Sequence, residues 1–171
     1  MNGTCFAPLL LLIPAVVLVS GVGCSYSFTG ASVPPHLKTI AIPLVDDQSG
    51  LGEPGLRETF TRELTTLFIT DNTLQVVDQA NADAMLEGVI SSVTDAPSVV
   101  QEGEQVRARR ITMSVKYTLQ DIKLRKKMWE KTFTHWGDYT SGTGPSQRAD
   151  GIATAIRKLT EDVLLETVSG W

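Results

Sequence analysis

This 171-residue chain is poor in the residues that most metal centres and nucleophilic sites need. It has two cysteines, two histidines and only 6% aromatic residues. Neither His36 nor His135 has a second ligand at helix or strand spacing, so no metal site is expected. The glycine-rich stretch "SGTGPS" lacks the Gly-Lys-Ser/Thr of a phosphate loop and reads as a linker. Gly-x-Ser-x-Gly is also missing, which removes the hydrolase elbow. Asp46 and Asp47 are adjacent, read as loop residues, and would diverge on an extended backbone, the wrong geometry for a paired acid and base. No enzyme and no cofactor are therefore expected. The net charge of −4 argues against general nucleic-acid binding, and the chain has neither repeats nor low-complexity segments.

Charge is also missing from residues 1–23, which contain no Asp, Glu, Lys or Arg. The aliphatic run Phe6–Val19 reaches only about 21 Å as a helix, short of the ~30 Å hydrocarbon core. A signal-peptide core fits better than a membrane span. The run ends at Gly21-Val22-Gly23-Cys24, which looks like a bacterial lipobox, although Gly21 stands where Leu is usual. On that reading residues 1–23 are a lipoprotein signal peptide and Cys24 carries acyl chains, two or more of which hold a domain stably on a membrane. Ser25, rather than Asp, after the cysteine permits export to the outer membrane. The alternatives are a plain secretory signal with Cys24 a free thiol, or an uncleaved anchor. Cys5 falls inside the leader, so the mature domain has no disulfide and must hold by packing.

About 148 residues remain after cleavage, enough for one core. Their charge is uneven. Between Arg107 and Lys131 nine basic residues stand against Asp121 and Glu130 alone. Such polarity steers anions toward one face of an otherwise acidic protein.

Residues 24–36 form a short Gly, Ser and Pro-Pro tether, and the domain spans 37–171. Leu37–Val45 reads as a strand that Pro43 marks as an edge or an end. Leu56, Phe60, Leu64, Leu67 and Phe68 make one stripe of a helix over about Pro54–Thr70. Leu74–Val77 and Ala84–Thr94 follow as strands, Gly88 marking a bulge in the second. Ile111, Met113, Val115, Tyr117 and Leu119 then alternate with Thr112, Ser114, Lys116, Thr118 and Gln120, the mark of a strand with one buried and one wet face. Met128–Trp136 returns as its hairpin partner, with Trp129 and Phe133 in the core. A loop follows, and Ser146 caps a last helix over about Gln147–Val168. The fold class is an α/β (α+β) two-layer sandwich, two helices on one face of a four- to five-stranded mixed sheet. The other face stays open for a partner.

Arg110 and Lys116 share the wet parity of their strand, and Lys123, Arg125, Lys126 and Lys127 lie at its end. They read either as a solvated strand and turn or as a cationic strip that pairs with phosphates. The stretches "PPHLKTIAIPLVDDQSG", "LQVVDQANADAMLEGVI" and "MWEKTFTHWGDY" resemble the LptE family of lipopolysaccharide-assembly lipoproteins. The resemblance runs from Cys24 into the last helix. It implies a non-enzymatic lipoprotein at the periplasmic face of the outer membrane, anchored at Cys24. It further implies a plug within an LptD-type β-barrel that binds lipopolysaccharide, with Arg110 and Lys116 the best-matched phosphate contacts. A similar strand-helix-strand opening occurs in lipoprotein regulators of cell-wall synthases and in secretion-channel lipoproteins, the second functional expectation.

Overall fold

A computed structural model describes residues 33–98, 108–140 and 145–169. The expected leader, Cys24 and most of the expected tether lie outside them. The elements are β1 (Thr39–Ala41), β2 (Asp46–Asp47), α1 (Leu56–Asp71), β3 (Gln75–Val76), β4 (Ala84–Pro97), β5 (Ala108–Asp121), β6 (Lys126–Thr140) and α2 (Pro145–Ser169), with a single 3-10 turn at Gln79–Asn81. Five strands run in the order β3-β1-β4-β5-β6, and β2 also pairs with β4. β1 is parallel to β3 and β4, and β4-β5-β6 is an antiparallel meander. The sandwich of two helices on a mixed sheet is as expected.

β5 carries the geometry. Its odd residues Ile111, Met113, Val115, Tyr117 and Leu119 are buried under the helices. α1 adds Leu56, Phe60, Leu64 and Phe68, and α2 adds Ile152, Ala155, Ile156, Leu159 and Val163, to the same core. Full burial of each large side chain contributes roughly 1.5–3 kcal/mol. Tyr117 is the largest of the fully buried side chains among the described residues, and burial pushes its hydroxyl pKa well up.

Several boundaries differ from the sequence reading. Leu37–Val45 is broken: β1 stops at Ala41, and the chain steps across Pro43 to β2. Pro43 has no N–H for a ladder, so the step is held by α1 instead. The Val45 N–H donates to Thr61 Oγ1 at 3.0 Å, and Arg57 Nε donates to the Val45 carbonyl at 2.9 Å. Asp46 and Asp47 are thus a short strand, parallel to Val89 and Ile90, and not a loop. The bulge in β4 lies between Ile90 and Ser92. Gly88 instead leaves room for Tyr117, whose ring would stand 2.4 Å from an added Cβ. β6 runs on through Gly137–Thr140, which had read as loop. α2 begins at Pro145, so Ser146 lies inside the helix and is not its cap. Proline suits that first turn because its missing N–H would have no partner there.

Candidate functional site: an open polar face and a basic turn

The even residues of β5 face away from the helices. Thr112 stands opposite Trp136, Ser114 opposite Thr134, Lys116 opposite Thr132 and Thr118 opposite Glu130 on β6. On the other side β4 presents Ser92, Thr94 and Ala96. Short hydroxylated side chains therefore pave this face. Ser114 Oγ and Thr134 Oγ1 lie 2.8 Å apart, and Ser91 Oγ donates to the Ser114 carbonyl at 3.1 Å. Such a face is polar, with hydroxyls able to turn as donor or acceptor toward a partner.

The expected cationic strip is present by parity but is not continuous. Arg110 donates to both carboxylate oxygens of Asp138, at 2.7 and 2.9 Å. That bond holds the Asp138 carboxyl below its ordinary pKa. The Arg110 guanidinium lies 5.0 Å from the centre of the exposed Trp136 ring, and Lys158 Nζ lies 5.4 Å from it. Lys116 is six residues further along, roughly 20 Å away. It and Lys127 share the Glu130 carboxylate at 4.0 and 3.3 Å. Lys127's hydrogen bond and then Lys116's charge keep Glu130 below the usual glutamate range. An open recess of about 370 Å³ lies beside Lys116, lined also by Pro43, Leu44, Asp46 and Val89. Lys123 is drawn away to Asp83, at 2.5 Å. Arg125 and Lys126, at the tip of the β5–β6 turn, have no ion-pair partner among the described residues.

Two polar clusters were not visible in the sequence. At the base of the sheet, Asp83 Oδ2 accepts the Lys38 and Thr39 N–H groups at 2.8 and 3.1 Å. With Lys123's hydrogen bond the strongest influence, these contacts hold its carboxyl far below the ordinary value. Beside it, buried Asp121 lies 2.5 Å from His36 Nε2 and accepts the Leu124 N–H at 2.7 Å. His36, read as the end of the tether, is thus held to the domain, and Val33 already packs on the core. At the top of the sheet, Asp95 accepts from Arg109 Nε at 2.8 Å, the Tyr139 hydroxyl at 2.7 Å and Arg148 Nε at 3.2 Å. Arg148 also pairs with Glu53. Burial alone would raise the Asp95 pKa; the bonds from Tyr139, Arg109 and Arg148 outweigh it and bring it below the usual value. These residues lie on four elements and a loop, far apart in sequence.

Of the aromatic residues of β6, Trp129 and Phe133 pack against the core as expected, edge to face at 6.3 Å. Trp136 faces the open side, and Tyr139 belongs to the Asp95 cluster. His135 lies against Trp136 and 2.7 Å from Asp162 of α2. Among the described residues no group of three or more His, Cys, Asp or Glu converges. No described helix is long and apolar enough to cross a membrane.

The family model described as LptE, lipopolysaccharide-assembly, matches residues 37–167, and the chain belongs to that family. Similar folds occur in a DUF330-family protein from Xanthomonas campestris, with 12% identity, a TM-score of 0.60, and coverage of 80% of this chain and 89% of that one. PelC from Paraburkholderia phytofirmans, a dodecamer, has 14% identity and a TM-score of 0.54 over 80% of this chain and 93% of its own. A minor lipoprotein from Acinetobacter baumannii has 14% identity and a TM-score of 0.51 over 76% and 91%. At such identities these likenesses describe the fold alone. No curated protein sequence matches the chain.

Proposed function

We propose that the protein is an outer-membrane lipoprotein, acylated on Cys24, that serves as plug and assembly partner of an LptD-type β-barrel. It binds lipopolysaccharide during delivery to the outer leaflet. Membership of the lipopolysaccharide-assembly family over 37–167 carries this reading. The open face supports it, since a surface of hydroxyls and paired charges suits the polar lumen of a barrel. On this proposal Lys116 and Lys127 receive a glycolipid phosphate. They share one carboxylate, Lys116 only at 4.0 Å, so a phosphate can replace Glu130 with no buried charge left unpaired. Arg110, firmly held by Asp138, offers a second and separate point. The protein acts by binding and not by catalysis.

The test has two parts. A tagged protein isolated from its own membranes should bring down a large outer-membrane barrel. Recovery of a cell-wall synthase instead, or of no barrel, contradicts the partner. Lys116→Gln should weaken lipopolysaccharide binding by about tenfold, the loss of one charge-assisted hydrogen bond. Unchanged affinity in a folded variant removes Lys116 from the glycolipid site.

A further inference from the structure

The three most exposed large apolar side chains among the described residues are Leu124 at 65% and Ile69 and Leu165 at 61% each. They share one end of the molecule. Leu124 sits at the tip of the β5–β6 turn, at the base of the sheet. Ile69 is in the last turn of α1 and Leu165 near the end of α2, and both helices run from the top toward the base.

Leu124 is exposed by construction. Its N–H is held by Asp121, which is itself buried and held by His36. The next residue, Arg125, has a left-handed φ of 51°, uncommon for a residue with a side chain. The turn is thus braced in a shape that presents a leucine to solvent. Around it stand Lys123, Arg125, Lys126 and Lys127, all exposed. An apolar tip ringed by cations suits the boundary of an anionic bilayer. Leucine enters below the headgroups while Lys and Arg stems reach back to phosphates. Arg125 and Lys126, lacking ion-pair partners among the described residues, are available for this. Of the exposed acids toward this end, Glu130 is taken up by Lys127 and Lys116, and Asp71 and Asp78 flank β3 at the opposite edge of the sheet.

The chain also enters here. His36 rests on Asp121 at the foot of the turn, and Cys24 is twelve residues before it. A lipid on Cys24 is therefore within about 43 Å of extended chain from the turn.

We infer that the β5–β6 turn, Lys123–Lys126 with Leu124 at its tip, is a second membrane contact that docks on an anionic phospholipid surface beside the lipid anchor. This rests on the reading of Cys24 as acylated. It separates the turn, which meets bilayer phosphates, from Lys116 and Lys127's shared carboxylate on the open face. Two contacts set an orientation that one flexible tether does not: the sheet stands base-down, with Asp95 and the top of the meander away from the bilayer.

The test uses the full chain in a Cys5→Ser background, purified from membranes and reconstituted in vesicles. An environment-sensitive fluorophore is attached at Leu124→Cys or, as a control at the top of β4, at Ser98→Cys. In vesicles containing phosphatidylglycerol the label at 124 should shift to the blue and be quenched by spin-labelled lipid, and the label at 98 should not. Arg125→Gln/Lys126→Gln, phosphatidylcholine alone, or high salt should each return position 124 to the level of the control. The mass of the amino terminus, read on the same material, reports the acyl chain separately. An acylated protein whose label at 124 stays unquenched overturns the docking, as does protection that requires the barrel and not the lipid. Quenching at 124 in excess of the 98 control in a protein without acyl chain, where Cys24 takes the label in both variants, keeps the docking and refutes the anchor. With neither quenching nor acyl chain, both fall.

Discussion

Gly137 decides how closely α2 can lie on the sheet. A Cβ there would stand 1.9 Å from the carbonyl oxygen of Gly151, a backbone atom that cannot swing aside. Gly137→Ala should destabilise the protein by about 2–3 kcal/mol, as overpacking does. Gly151→Ala meets nothing closer than 3.3 Å and should cost less. Denaturant midpoints for the two variants check this, and equal losses would contradict it. Asp83 governs the base. Its folded pKa lies below the ordinary 3.8, so its contribution is complete above that pH and is lost as pH falls through the folded value. Asp83→Asn should cost about 2–3 kcal/mol at neutral pH and flatten the acid limb of the stability curve below pH 3.8. A variant whose acid limb is as steep as the parent's would show that other carboxylates govern it. At this scale little was legible beforehand. Gly88 read as a bulge because glycine in a strand signals several things. Only the register, which sets it beside Tyr117, distinguishes them.

Whole elements were more legible, because periodicity is local information. The alternation from Ile111 to Gln120 fixed which face of β5 is buried, and the stripe of α1 fixed its own. Ends were less legible, because tertiary pairing extends β4 to Pro97 and β6 to Thr140 through residues rich in turn formers. The cluster at the top joins β4, β5, β6, α2 and the loop before α1 through Asp95, Arg148 and Glu53. No spacing rule could reveal it. Asp95→Ala takes the carboxylate from Arg109 and the Tyr139 hydroxyl, leaves Arg148 with Glu53 alone, and should cost about 1–3 kcal/mol. Hydrogen exchange should speed up in the upper ends of these elements while β1 and the β5–β6 turn keep their protection. Uniform acceleration would mean that the cluster is not a local clasp.

At the scale of the molecule, the sandwich sorts its surfaces. One face of the sheet is sealed by helices, the other is paved with hydroxyls, and the base gathers the chain entry, the basic turn and exposed leucines. The family and the two-layer fold were legible from the order of short signals along the chain. The division of the cations was not, since their acidic partners Asp83, Glu130 and Asp138 come from other strands or other parities. A photocrosslinker at Ser114, mid-way along the open face, tests the proposed role most directly. In intact cells it should capture a single large outer-membrane β-barrel. Efficient crosslinking to a periplasmic enzyme or to further copies of the chain, with no barrel captured, would contradict it.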